Sequence, residues 1–168
     1  MSNHVTLSFF CLCIGVIILS GCVQTQQSSQ PMLDQIASVG LVIHDHWTTN
    51  DINDGKIVYL DLINKRNVAL GKYDTANIQN LKVKLWILGL DTSTKDYTIE
   101  LFSKTYENLN YYDLYYPQGK GIIVYYSEIM KYDNQCCTGI RAEITLPDGR
   151  VLETHEIYNF DIKPTVVR

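Results

Sequence analysis

Three histidines are the side chains of this sequence best suited to binding a metal ion. His44 and His46 flank Asp45, so a strand would place both imidazoles on one face. Together with His155 they would supply three nitrogen ligands, a set that suits zinc or copper. The alternative is a group of polar residues at a strand end, because nothing in the sequence places His155 near the other two. We therefore predict no metal and no cofactor, and keep metal or small-ligand binding as the alternative function.

Cys136 and Cys137 are adjacent and are the only cysteines beyond residue 22. In an oxidising compartment they could form a disulfide, although a bridge between neighbours distorts the peptide bond that joins them. Two separate thiols, or pairing with another chain, are the alternatives. Nothing local marks either thiol as an activated nucleophile, and the G-x-S-x-G, Walker and G-x-G-x-x-G motifs are absent from the sequence. We predict no catalytic residue and a protein that is not an enzyme.

Tyrosine is concentrated between residues 106 and 132, where eight of the 12 tyrosines lie. Tyrosine combines a large rigid contact area with a hydroxyl group, and it is enriched at recognition surfaces. Neighbouring side chains of a strand face opposite ways, so some of these rings should be exposed. The alternative is that they fill the core and the strand faces, because tyrosine favours strands. The predicted partner-binding residues are Tyr111, Tyr112, Tyr115 and Tyr116.

The segments around these residues have the alternating pattern of β-strands. We predict strands over 39–44, 56–63, 68–73, 81–88, 97–104, 121–127 and 140–146, with a further strand after residue 149. Asn53, Asp54 and Gly55 predict a turn. In the last hairpin, a three-residue loop with Gly149 in the left-handed region places Ile144 opposite Leu152, which buries one face consistently. Seven or eight short strands without a long helical pattern predict an all-β, antiparallel, immunoglobulin-like β-sandwich.

The N-terminus predicts where the protein is located. Residues 5–19 form an apolar run, shorter than the roughly 20 residues of a membrane-spanning helix, and small residues follow it. Its end, Leu19-Ser20-Gly21-Cys22, resembles the lipobox of bacterial lipoproteins. The resemblance implies cleavage before Cys22, diacylglycerol on its thiol and an acyl chain, such as palmitate, on the new amine. Several acyl chains make a stable anchor, at about 0.8 kcal/mol for each buried methylene.

Two residue positions qualify this resemblance. The first four residues contain no Lys or Arg, which signal peptides usually carry, so an uncleaved membrane anchor is the alternative. Val23 follows the cysteine; in the Gram-negative family an Asp there favours the inner membrane, so Val23 implies the outer membrane.

The predicted organisation is a signal peptide over 1–21, a lipidated cysteine with a flexible tether over 22–32, and a β-sandwich domain over 33–168. A net charge of −4 without a basic patch argues against a nucleic-acid partner. We predict a lipid-anchored, non-catalytic binding or accessory protein of the envelope, such as a subunit of a secretion or assembly complex. Its expected partners are the membrane, through the lipid on Cys22, and an envelope protein met in the periplasm.

Overall fold

Alternation of apolar and polar residues produces two antiparallel β-sheets. A computed structural model describes residues 30–50, 52–71, 78–130, 138–158 and 165–166. The first sheet has the order β1-β2-β5, with β8 also paired to β2, and the second has the order β4-β3-β6-β7. The strands are β1 (Ile36–Trp47), β2 (Ile52–Asn64), β3 (Leu81–Asp91), β4 (Asp96–Leu109), β5 (Ile122–Tyr125), β6 (Thr138–Thr145), β7 (Val151–Tyr158) and β8 (Thr165–Val166).

Helices are few and short in the described part of the chain. They are α1 (Gln30–Leu33), α2 (Tyr111–Leu114) and a 3-10 helix (Tyr126–Glu128). The prediction of an all-β antiparallel fold is therefore confirmed. None of the helices in the described ranges is long and apolar enough to cross a membrane.

One hydrophobic core is built from both sheets. Leu60 and Leu62 of β2 contribute from the first sheet, and Leu81 and Val83 of β3 contribute from the second. All four side chains are buried. Burying a leucine or valine contributes about 1.5–3 kcal/mol, so the alternating inward positions of these strands hold the two sheets together.

The final hairpin has the predicted register. Ile144 of β6 lies opposite Leu152 of β7, and Gly149 has a φ of 87°. The N–H of Gly149 donates to the carbonyl of Leu146, which closes the turn at 2.9 Å. Burial of one face of the hairpin selected this register over the shorter two-residue loop.

The predicted turn at residues 53–55 is wrong, because all three residues lie within β2. The turn lies earlier, where the N–H of Thr48 donates to the carbonyl of Ile52 at 2.9 Å. Gly55 serves a different purpose: a Cβ atom there would lie 2.5 Å from the carbonyl oxygen of Val124. The glycine thus allows β5 to approach β2 closely, and it does not reverse the chain direction.

Other predicted segments differ in detail. In place of a strand over 68–73, the described residues show an isolated bridge between Ile63 and Ala69, and 72–77 lie outside the described ranges. The strand predicted over 121–127 ends at Tyr125 and continues as the 3-10 helix. The signal peptide, Cys22, Cys136 and Cys137 also lie outside the described residues.

Arg150 attaches the segment that joins α1 to β1 to the β6–β7 turn. Its guanidinium donates to the carbonyls of Leu33 at 2.5 Å and Ile36 at 3.0 Å. The carboxylate of Asp148 accepts a further bond from the same group at 2.8 Å. The segment that follows the predicted tether is therefore held at one end of the fold, close to the β6–β7 turn.

Candidate functional site

The predicted tyrosine surface is divided between core and solvent. Tyr111 is 0% exposed, and its hydroxyl accepts a hydrogen bond from the N–H of Leu62 at 2.9 Å. Tyr115 is partly buried against the core, with its ring 5.9 Å from that of Tyr111. Tyr112 and Tyr116 are 41% and 36% exposed. Tyr111 is therefore removed from the predicted partner-binding residues, and Tyr112 and Tyr116 are the members that a partner could reach.

A helical turn explains this division. The prediction assumed strand alternation, but Tyr111–Leu114 forms α2. Residues three apart share a helix face, so Tyr111 and Leu114 both point into the core and Tyr112 points away. Burial raises the pKa of the Tyr111 hydroxyl, in keeping with its place in the core.

Tyr116 instead lies on the outward face of the first sheet, where it joins two other rings. It stacks on His44 with ring centres 4.8 Å apart and an interplanar angle of 13°. Tyr59 meets both rings edge-on, at 5.9 Å from His44 and 5.3 Å from Tyr116. The backbone N–H of Tyr116 donates to Asp61 at 3.2 Å, which holds the loop against β2. Burial raises the pKa of Asp61.

A second ring pair lies farther along the same face. His46 and Tyr125 meet edge-to-face at 5.6 Å. They lie on either side of Gly55, which pairs with both residues and has no side chain to separate the rings. Nδ1 of His46 is 2.6 Å from a carboxylate oxygen of Asp54, which orients the imidazole.

These two groups lie on the same face of the first sheet, two residues apart on β1, and together we call them the aromatic patch: His44, His46, Tyr59, Tyr116 and Tyr125. Tyr125 is 39% exposed, so the patch presents two accessible phenol rings. Edge-to-face and offset-stacked pairs contribute about 0.5–1.5 kcal/mol each, which keeps the rings in place before any partner arrives. The sequence showed that His44 and His46 share a strand face, but not that tyrosines from distant segments meet them there.

The three histidines do not form one site. His155 lies on β7 in the second sheet, opposite Arg141, and its ring is 6.1 Å from that of Tyr97. Across the described ranges, no three His, Cys, Asp or Glu side chains come together as a metal-binding group. The set of three nitrogen ligands considered for the alternative function is therefore not assembled among these residues.

A buried lysine lies beneath the patch, on the inward face of the first sheet. Lys56 of β2 is 7% exposed and forms an ion pair with Asp45, its partner across β1. The hydrogen bond from Lys56 lowers the pKa of Asp45. Tyr126 is buried nearby, and this burial raises the pKa of its hydroxyl. A buried ammonium needs a counter-charge, so Asp45 has a structural role that its position between two histidines does not reveal.

This ion pair predicts a pH-dependent stability. Because the pKa of Asp45 is lowered on folding, its charge stabilises the fold above the unfolded-state pKa of about 3.8. That contribution disappears as the pH falls through the lower folded-state pKa. We expect Asp45→Asn to be less stable than the wild type at pH 7 and to lose less stability between about pH 5 and pH 2. Urea unfolding across this range measures both effects.

A double-mutant cycle with Lys56→Met separates the pair from the individual side chains. Since Asp45 is partly exposed, solvent screens some of its interaction with Lys56. The double variant Lys56→Met/Asp45→Asn should recover stability relative to Asp45→Asn alone, because it no longer buries an uncompensated charge. Parallel pH curves for the wild type and Asp45→Asn would contradict this assignment.

The aromatic patch presents groups that can form contacts with a protein partner. It offers rigid rings, two imidazoles and the carboxylates of Asp54 and Asp61 on a face of the sheet. Aromatic rings of this kind contribute strongly to protein interfaces. Comparison of the chain with protein-family models, with curated proteins and with solved structures finds no match, so the functional conclusion depends on this geometry and on the sequence.

Proposed function

We propose that this chain is a lipid-anchored protein of the bacterial envelope that binds a protein partner and has no catalytic activity. The lipid on Cys22 would hold it in the outer membrane, with the two sheets in the periplasm. An accessory subunit of a secretion or assembly complex fits this description. The observation that carries the proposal is the aromatic patch, a set of pre-arranged rings on an outward sheet face.

We also propose that the fold is an immunoglobulin-like sandwich, and the strand order supports this. Immunoglobulin domains place strands A, B and E in one sheet and strands C, F and G in the other, with C′ added beside C in variable-type domains. Assigning A, B, C, C′, E, F and G to β1–β7 in chain order gives the neighbours seen here, β1-β2-β5 and β4-β3-β6-β7.

The position of the patch suits a partner away from the bilayer. β1 begins at Ile36, near the predicted tether, and His44 lies eight residues farther along the strand. At about 3.3 Å for each residue, this separation is about 26 Å. When the end of the fold that follows the tether is turned towards the membrane, the strand leads from the membrane side towards the patch. The patch would then face the periplasm, where an envelope protein could reach it.

The composition of the patch suits a protein partner. Tyrosine often supplies the largest contributions to binding energy at protein interfaces, because it buries a large ring with little loss of side-chain freedom. The exposed Trp47 lies at the end of β1, next to His46. Ile57 and Ile123 are partly exposed on the same face as His44. A partner would therefore meet an apolar centre with carboxylates at its margin.

The test is site-specific photocrosslinking in living cells. A crosslinking amino acid at Tyr125 should capture one dominant envelope protein, and the same probe at Val151 should not. Val151 is 57% exposed but lies on the second sheet, so it controls for random encounters. Capture that is equal at both positions would contradict the assignment of the surface.

The double variant Tyr116→Ala/Tyr125→Ala should weaken binding to the captured protein by at least about 30-fold, the effect of losing one residue worth roughly 2 kcal/mol. The double variant also loses three ring contacts worth about 0.5–1.5 kcal/mol each, so binding is measured at a temperature at which the variant remains folded. Val151→Ala is the control variant. Titration of purified protein with its partner, followed through Trp47 fluorescence in a Trp86→Phe background, measures the affinity. Unchanged affinity in the double variant would contradict the proposal.

A further inference from the structure

A rigid basic turn lies beside the segment that follows the predicted tether. Lys65 and Arg66 form its tip, immediately after β2. The side chain of Asn64 accepts hydrogen bonds from the N–H of Arg66 at 2.9 Å and of Val68 at 3.1 Å. Asn67 has a φ of 60°, which completes the tight bend. Both basic side chains are exposed, and the hydrogen bonds to Asn64 hold the backbone of the turn in one conformation.

This turn is attached to the N-terminal segment. The N–H of Lys65 donates to the carbonyl of Gln35 at 3.0 Å. The same residues surround an open cleft of about 450 Å³, lined by Asp34, Gln35, Asn64, Lys65 and Arg66. The turn thus lies beside the segment that joins α1 to β1.

The charges of Lys65 and Arg66 distinguish them from most other cations in the described ranges. Five of those cations form ion pairs: Lys56 with Asp45, Lys82 with Glu107, Lys104 with Glu128, Arg141 with Glu143 and Glu153, and Arg150 with Asp148. Lys84 lies over the ring of Trp86. Within the same ranges, Lys65 and Arg66 are adjacent and neither forms an ion pair. They are available to an anionic partner.

We propose that this turn docks onto the headgroups of anionic phospholipids in the leaflet that holds the lipid on Cys22. This inference rests on the proposed lipid anchor. Cys22 and Gln30 are eight residues apart, so a fully extended chain between them spans at most about 29 Å. The lipid therefore keeps Lys65 and Arg66 within reach of the membrane surface, and a basic side chain in contact with anionic headgroups gains about fivefold in binding.

Docking through this turn would orient the whole fold. β1 runs from the vicinity of the turn towards His44 and His46, so headgroup contacts at one end direct the aromatic patch away from the leaflet. A lipid alone would leave the fold free to tumble on its tether. The basic turn would supply a second, electrostatic contact that keeps the partner-binding face accessible.

The experiment measures lysine reactivity on membranes. The purified lipidated chain is inserted into vesicles of phosphatidylcholine alone or mixed with phosphatidylglycerol, and exposed amines are labelled and quantified by mass spectrometry. Lys95, in the β3–β4 turn, is the internal reference because it is exposed and far from the basic turn. The other end of β3 pairs with Thr145 beside the β6–β7 turn, whose Arg150 contacts the segment next to Lys65. We expect labelling of Lys65 relative to Lys95 to fall about fivefold when phosphatidylglycerol is present, and to recover at high salt.

Charge reversal at the turn provides the matched test. Arg66→Glu should abolish the protection of Lys65 from labelling. Lys95→Glu should leave this protection intact; because that variant lacks Lys95, its Lys65 labelling is measured relative to total vesicle-bound protein. The mass of the N-terminal peptide reports lipid on Cys22 separately. A lipidated chain whose Lys65 is equally reactive on both vesicles would overturn the docking alone. A chain without lipid would overturn the proposed anchor, and with it this inference.

Discussion

Replacing Tyr111 with Ala is expected to lower the free energy of unfolding by about 3–5 kcal/mol, the range for deleting a large buried aromatic side chain. Its ring is fully buried beside β2, and its hydroxyl accepts the N–H of Leu62 at 2.9 Å. The same hydroxyl lies 3.4 Å from the carbonyl of Leu70 as a donor. The substitution would therefore leave a cavity and remove the partner of a buried backbone N–H. Urea or thermal unfolding measures the loss.

Two further variants separate the causes. Tyr111→Phe keeps the ring and removes the hydroxyl, so it should cost only about 1–3 kcal/mol, the penalty for a buried polar group left without its partner. Tyr112→Ala, one residue away on α2, should cost clearly less than Tyr111→Ala, because the Tyr112 ring is 41% exposed whereas that of Tyr111 is fully buried. Equal losses for Tyr111→Ala and Tyr112→Ala would show that the division between core and surface is incorrect.

Gly121→Ala is expected to destabilise the fold by about 2–5 kcal/mol and to disturb the aromatic patch. Gly121 has a φ of 64°, and an L-residue in the left-handed region costs about 1–2 kcal/mol. Its new Cβ would also overlap Cγ2 of Ile57 and lie 3.1 Å from the ring of Tyr59. Overpacking of this kind typically costs a further 1–3 kcal/mol. Because Tyr59 supports both His44 and Tyr116, its displacement should also weaken partner binding.

Gly149→Ala is the matched control for this substitution. Gly149 also has a positive φ, 87°, but no atom lies within 4 Å of the position that its Cβ would occupy. It should therefore show the backbone cost alone, about 1–2 kcal/mol, with partner binding unchanged. The difference between the two variants isolates the steric contact on Ile57 and Tyr59. Identical losses of stability would contradict the packing described for the loop.

The loop that ends at Gly121 connects these stability effects to the proposed function. Tyr116 is held there by the bond from its N–H to Asp61, and the loop is closed by the N–H of Gly121 donating to the carbonyl of Asp113 at 2.8 Å. α2 places Tyr111 in the core immediately before the loop. One short segment therefore anchors itself in the core and presents a ring on the surface, so substitutions in its two parts should have separable consequences.

Many of the strands could be predicted because apolar and polar residues alternate within each of them. The alternation of Leu81, Val83, Leu85 and Ile87 marks an inward face whatever the neighbouring strands are, and all four side chains are buried. The β6–β7 register could also be predicted from the sequence, because a shift by one residue would expose Ile144. The lipidation of Cys22 stays a prediction from four residues at the end of an apolar run, outside the described part of the chain.

Some local predictions were wrong because the same residue types occur in two kinds of secondary structure. Asn53, Asp54 and Gly55 have the composition of a turn, yet they lie in β2. The glycine leaves room there for the backbone of Val124 and Tyr125 in the neighbouring strand. Tyrosine pairs have the composition of a strand, yet Tyr111 and Tyr112 lie on a helical turn. In both places the deciding contact comes from a segment tens of residues away, which a local pattern does not contain.

The sequence by itself determined the all-β class, the inward faces of the main strands and the register of the last hairpin, since each follows from which side chains avoid water. Only the tertiary structure decided which tyrosines are exposed and which rings meet. His46 contacts Tyr125 because β2 pairs with both β1 and β5 and carries glycine between them. Such contacts depend on the order of strands in space, which burial and long-range pairing select together.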